Sequence, residues 1–432
     1  MQVEILQSSS SRCGSRSIRQ STETVECEID RMHARLDRAD GRPGWHRVGG
    51  WLRPAFIIAG LFVTLSVSQS MAQNEADRSS FLKTGRQMAA PERVFISGHS
   101  LLSDPIPSDL AAIASSLGHP FIWRRQYLEG SSIKRRSFGD DTEGQSWSGY
   151  TKGLTQADRA VSVLDELRRP EGHPDKPYDA LLITEQHSVL ISLVWNETPR
   201  YLRDFHDRFI AQNPNGTTFF YEPWLSIDNK NDPRGWIAYE RAADPVWRCI
   251  VEQTNAAISS DGRRGRIRFI PVALALADLI ERATQSQGVP GITRESVRAT
   301  VDSLVADDVH LTRLGKYYVA LVTFAFLSGI SPHGAWHPAD VSPEQAAVLQ
   351  DVAGSFAAKA PPSVMSLQDC RDYVRKTFLW RYLRYEVATG WRGERGFFAS
   401  LYLGARLAFQ WYRLFSADGP ENPFGAAAHP RS

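Results

Sequence analysis

The sequence predicts a parallel α/β fold, and three observations predict it. From Glu92 onward, short apolar runs rich in β-branched and aromatic residues recur, amphipathic stretches of helical length separate them, and glycine, proline or polar clusters punctuate the joins. Runs that are apolar almost throughout read as strands covered on both faces, which is how a parallel sheet is built.

Five such runs are present: Arg93–Ser97, Pro120–Trp123, Ala180–Thr184, Thr217–Tyr221 and Ile267–Val272. Between and after them, Ser108–Leu117, Thr155–Leu167, Thr198–Ala211, Asp244–Ile258 and Leu274–Thr284 carry helical periodicity and are expected to cover the sheet as right-handed crossovers. A further helix, Leu311–Leu327, ends where Gly329 and Pro332 stop it. The α/β domain is thus expected over residues 92–332, with a helical extension over 333–432 built from Ser342–Lys359, Ser366–Ala388 and Phe397–Phe415. The last is rich in aromatic residues and interrupted by Arg406 and Arg413, so it reads either as a core helix or as one lying on a membrane surface.

Ahead of the domain, residues 1–53 are polar and basic without a helical or strand period, and read as disordered. Pro54–Val67 is apolar, follows Arg47 and Arg53, and leads into Ser70-Met71-Ala72, the layout of an export signal cut after Ala72. Residues 54–72 would then direct a periplasmic or secreted protein. Left uncut, they would anchor it with the domain outside the cytoplasm. Met32 as the start would give the signal a more usual basic region.

Composition excludes some partners. With 50 basic against 48 acidic side chains there is no basic field to select a nucleic acid. Cys13, Cys27, Cys249 and Cys370 lack the spacing of a metal site, so neither metal nor cofactor is expected. In an oxidising compartment Cys249 and Cys370 either pair or remain two buried thiols. Twelve tryptophans are either core residues or platforms for sugar rings.

Two blocks carry chemistry. Ser97-Gly98-His99-Ser100-Leu101-Leu102 lies where the first strand ends, the edge at which open α/β sheets bind ligands. Asp307-Asp308-Val309-His310-Leu311-Thr312, with Gly315 beyond, opens the helix after the fifth strand. Residues three apart in a tight turn share a face, so Asp307 can orient His310, and a serine needs such a base because its hydroxyl is unactivated at neutral pH. Asp-x-x-His alone arises about once in two chains of this length. The weight therefore falls on the order: serine after strand one, acid and base after strand five.

In these blocks the chain resembles the SGNH/GDSL hydrolases over roughly residues 92–332. The resemblance implies a flavodoxin-like three-layer α/β/α sandwich with a five-stranded parallel sheet. It also implies Ser100 as nucleophile, His310 as base and Asp307 as its orienter. The oxyanion would be held by the amides of Ser100 and Gly130, the latter in the loop after strand two. The sequence departs from the pattern twice: His99 stands where Asp or Asn is usual, and no Gly-x-Asn-Asp follows strand three, where the chain reads Thr184-Glu185-Gln186-His187. Gln186 is the positional substitute for the missing asparagine, with Glu185, His187 and the more distant Asn196 as alternatives. Glu185, His187, Glu222 and Trp224 are expected to line the pocket. His119, His173 and His206 read as surface or structural residues.

The expected activity is hydrolysis of a carboxylic ester, with an acylated glycan as a candidate substrate. The alternatives are an O-acyltransferase using the same residues, and a silent carbohydrate-binding or envelope-assembly protein on the same fold.

Overall fold

A computed structural model describes residues 90–425, apart from 141–146, 151–152, 156–159, 169–175, 264, 360–364, 387–395 and 420. The readings placed on residues 1–53, on 54–72, on Met32 as the start, on Cys13 and Cys27, and on His173 lie outside the described residues.

Strands β1 (Arg93–Gly98), β2 (Ile122–Tyr127), β3 (Ala180–Thr184), β4 (Thr217–Tyr221) and β5 (Ile267–Ile270) pair in parallel in the order 2-1-3-4-5. Helices cover both faces, and every residue of β1 and β3 is buried, which is why those two runs are so uniformly apolar. This is the flavodoxin-like order, in which the chain reverses direction across the sheet between β1 and β3. The crevice outside the carboxyl ends of those two strands is the usual ligand position.

Two expectations on the β2 side of the sheet need correction. Thr155–Leu167 is not one helix: Gly153–Thr155 and Ala160–Val161 form short antiparallel strands outside β2, and a helix follows only at Val163–Arg168. Pairing with the open edge of β2 overrides the local helical pattern there. β2 itself starts two residues later than expected and runs on through Arg124, Arg125 and Gln126. These polar residues hide the strand, because Gln126 is buried by bonding inside the fold and Arg125 pairs with Asp104.

The helices that bear on the site are α1 (Ile106–Ser116), α2 (Ile133–Phe138), α3 (Val163–Arg168), α4 (Val189–Val194), α5 (Thr198–Gln212), α6 (Arg234–Ser260), α7 (Val272–Thr284), α8 (Val297–Leu304) and α9 (Arg313–Ser328). α6 begins ten residues before the expected Asp244, because Pro245 lies inside the helix rather than in its first turn. Trp236, Tyr239 and Ala243 on that added length are buried, and their packing outweighs the proline.

Beyond α9 come α10 (Pro343–Ala358), closed by a Ser342–Gln345 capping box, then α11 (Leu367–Tyr373), a π-helical stretch over Val374–Phe378, α12 (Leu379–Glu386) and α13 (Phe397–Ser416). α10 packs on α9, α11 and α12 dock on α6, where Tyr239 stacks on Tyr385 with ring centroids 4.6 Å apart, and α13 packs on α12, where Tyr382 meets Trp411 at 5.5 Å. Of the two readings of the cysteines, the paired one holds. Cys249 on α6 is bonded to Cys370 on α11.

Candidate functional site

Ser100 opens a 3-10 turn, Ser100–Leu102, directly beyond β1, and its side chain is half-buried. His99 fixes that turn. The Glu185 carbonyl can only accept, so His99 Nε2–H donates to it at 2.8 Å, leaving Nδ1 to accept from the Leu101 amide at 3.4 Å. The imidazole thus ties the end of β1 to the end of β3. Burial, and then the charge of Arg136, push its titration down to about 3, so it stays neutral and keeps this tautomer.

Asp307 and His310 stand at the tip of a closed loop. Its neck is held by the Thr312 amide donating to the Leu304 carbonyl at 2.9 Å and the Ala306 amide donating to the His310 carbonyl at 2.8 Å. Asp307 Oδ1 accepts from the amides of Val309 and His310, at 2.8 and 2.6 Å, which leaves Oδ2 to accept from His310 Nδ1 at 2.8 Å. Partial burial works against ionisation of Asp307. The two amides and the imidazole outweigh it, and the carboxyl titrates at about 2. With Nδ1 donating to Asp307, Nε2 of His310 is the basic nitrogen.

Gly315 is required by this loop rather than by flexibility. A Cβ there would fall 2.2 Å from the Leu304 carbonyl oxygen, and the Gly315 amide donates to the Thr312 hydroxyl that caps α9.

β4 braces both blocks. The Tyr221 hydroxyl donates to the Leu101 carbonyl at 3.4 Å, Trp224 Nε1 donates to the Val309 carbonyl at 2.7 Å, and the Ile227 amide donates to the Asp308 carbonyl at 2.7 Å. His310 is close enough to the crevice that its charge lowers the titration of both His99 and His187. Ser100 and His310 themselves are not hydrogen-bonded in this conformation.

The other expected site residues divide. Gln186 is half-buried at the end of β3. Asn196 Nδ2 donates to its Oε1 at 3.1 Å, so its amide nitrogen is the end left without a partner among the described residues. His187 is half-buried beside it, and burial together with the nearby His310 hold its titration down at about 4. Gly130 is exposed, in the left-handed region at φ 59°, in the loop that starts where the Leu128 amide donates to the Gly98 carbonyl.

Three expected pocket residues are interior instead. Glu185 is wholly buried: Oε1 accepts from the amides of Ile133 and Gln186, and Oε2 from the Thr198 hydroxyl. Trp224 is 2% exposed and serves the His310 loop from behind. Glu222 is wholly buried beside Asp244 and Glu240, and burial first, then those two acids, hold its carboxyl protonated well above the usual range. None of the three offers a side chain to a ligand. His206 is indeed structural, buried and bonded to the Thr218 hydroxyl at 2.9 Å.

Sequence reasoning missed Arg136. It is wholly buried beneath the crevice: Nε donates to the Ser97 hydroxyl, one terminal nitrogen to the carbonyl and hydroxyl of Ser131, and the other to the Thr184 carbonyl. One side chain thus joins the carboxyl ends of β1 and β3 to the loop after β2, and Glu185 supplies its countercharge. The signal available was the three-residue spacing from Ile133, which places both residues on the buried face of α2.

A cleft lined by Arg234, Arg241, Glu281, Tyr373 and Arg381 contains none of these residues. Arg241 is already paired with Glu281, and Arg234 with Asp232. Six of the tryptophans form core, since Trp123, Trp195, Trp224, Trp236, Trp247 and Trp411 are all buried, whereas Trp336 and Trp380 are exposed.

No family model matches the sequence, and no curated protein matches it. Among solved structures, the chain is similar to a DUF4886 family protein from Bacteroides uniformis at 16% identity and a TM-score of 0.42, over 64% of this chain and 98% of that one. A likeness that weak carries no argument about function.

Proposed function

We propose that the chain is a serine hydrolase of carboxylic esters, a divergent relative of the SGNH/GDSL enzymes. The observation that carries this reading is the Asp307–His310 pair, bonded at 2.8 Å on a loop that Trp224 and Ile227 tie to the end of β4, while Tyr221 of β4 bonds to the turn that Ser100 opens. In the proposed cycle His310 Nε2 takes the proton of Ser100 Oγ as it attacks the ester carbonyl. The protonated imidazole, steadied by ionised Asp307, then passes that proton to the departing alcohol, and water repeats the sequence on the acyl-serine. The oxyanion would be held by the Ser100 and Gly130 amides and by the unpartnered amide nitrogen of Gln186. Buried Arg136 sets a positive charge beneath that hole.

The Cys249–Cys370 disulfide and the layout of residues 54–72 support export to an oxidising compartment. An O-acylated glycan is one ester class to assay, although the buried tryptophans lend it no support.

The test is a fluorophosphonate probe on the purified chain. Covalent labelling that maps to Ser100 and disappears in Ser100→Ala is expected. Absence of labelling in a folded protein would sink the reading in favour of a silent binding protein. Product analysis with a sugar alcohol present separates a hydrolase from a transferase.

A further inference from the structure

The outer face of α13 is apolar where an ordinary surface helix is charged. Phe397, Phe398, Leu401, Tyr402, Phe409 and Tyr412 are 52%, 82%, 55%, 71%, 65% and 45% exposed. Positions 398, 402, 405, 409 and 412 recur at helical three-to-four-residue spacing, so they form one stripe. The opposite face is already used by the fold: Leu407, Trp411 and Phe415 are buried, and the Trp411 ring lies 5.7 Å from that of Trp195. Six of the ten large hydrophobic residues exposed among the described residues lie on this helix, and Trp380 on adjoining α12 is a seventh.

Charge decides what covers the stripe. α13 contains no acidic residue, and its two ionisable charges are Arg406 and Arg413. Both fall along one margin of the stripe at 3.6 residues per turn, and the Arg413 guanidinium packs 5.8 Å from the Phe409 ring. Exposed Arg381 and Arg384 lie on the preceding segment, while nearby Asp372 is paired with Arg375 and Lys376, and Asp418 with Arg371. An apolar band with a cationic margin complements an anionic surface with an apolar interior.

A second copy of the chain fits less well. The stripe is about 30 Å long and 10 Å wide, roughly 300 Å², well short of the roughly 800 Å² per partner that a stable protein interface buries. No helix among the described residues is long and apolar enough to cross a membrane.

We infer that α13 lies flat on an anionic glycerophospholipid bilayer, with its aromatic stripe in the acyl–headgroup boundary and Arg413 against the headgroups. This rests on α13 and the adjoining α12 and is independent of the proposed esterase activity.

The test uses the full chain carrying photoreactive benzoylphenylalanine in place of Tyr402 or of Phe409, with Val297, 36% exposed on α8, replaced in the same way as a control. These positions are exposed, so the fold is preserved. After irradiation with vesicles of phosphatidylcholine and phosphatidylglycerol, lipid adducts are expected at 402 and 409 and not at 297. The yield should drop on pure phosphatidylcholine, and by about five-fold in Arg413→Gln. Adduct yields equal at all three positions would overturn the inference, as would cross-links from 402 to a second chain or to residues 54–67 of the same chain.

Discussion

Trp224 Nε1 donates a 2.7 Å hydrogen bond to the carbonyl of Val309, the residue before His310. An indole buried at the end of β4 thereby fixes the height of the loop that presents the imidazole. Trp224→Phe keeps the aromatic volume but leaves that carbonyl unsatisfied, a cost of about 1–3 kcal/mol. The midpoint of urea unfolding should shift down accordingly, with ester turnover reduced about ten-fold.

Asp307→Asn should lower kcat by about 10³–10⁴ without altering far-ultraviolet dichroism. An amide cannot stabilise the imidazolium, and it favours the wrong tautomer of His310. The acid limb of the rate profile should not report Asp307 itself, which titrates at about 2. Its contribution to stability is present above the unfolded value of 3.8 and is lost only as pH falls through about 2.

Gln186→Ala should cost about 10²–10³ in kcat with KM little changed, the signature of a donor used only in the transition state. Asn196→Ala should lose less, since it frees the Gln186 side chain without removing it. Equal kcat for Gln186→Ala and wild type would exclude Gln186 from the oxyanion hole.

Glu240 gives a pH signature of stability. Burial raises its titration to about 8 from an ordinary 4.5, while the bond from the Leu225 amide opposes the rise. Between those values the unfolded chain releases the proton and the folded chain keeps it, so stability falls as pH rises across the window. Glu240→Gln retains the acceptor for Leu225 and should flatten the decline, read as urea midpoints across that range. The slope should persist in part, because Glu185, raised by burial to about 7, adds to it.

Much of this was legible in the sequence because it is local or periodic. The Asp307–His310 contact is set by a three-residue spacing, and β1 and β3 are buried on both faces, so their apolar runs announce them. What was hidden depends on partners distant in the chain. Arg136 sits in Lys134-Arg135-Arg136, which reads as a solvated basic run until Ser97, Ser131 and Thr184 converge on it. Trp224 and Glu185 were placed correctly at the sheet edge. Position along a strand does not reveal whether a side chain turns toward the crevice or behind it. The strands at Gly153–Thr155 and Ala160–Val161 exist because β2 offers an open edge, which no window of local sequence contains.

The bond between Cys249 and Cys370 closes a covalent ring across 121 positions, and that ring contains β5, α7, α8, His310, α9 and α10. A protease cutting anywhere between those cysteines would not release a fragment. The two pieces would migrate as one band until a thiol is added, so a gel run under non-reducing conditions would overlook a cut through the very segment that carries the proposed base.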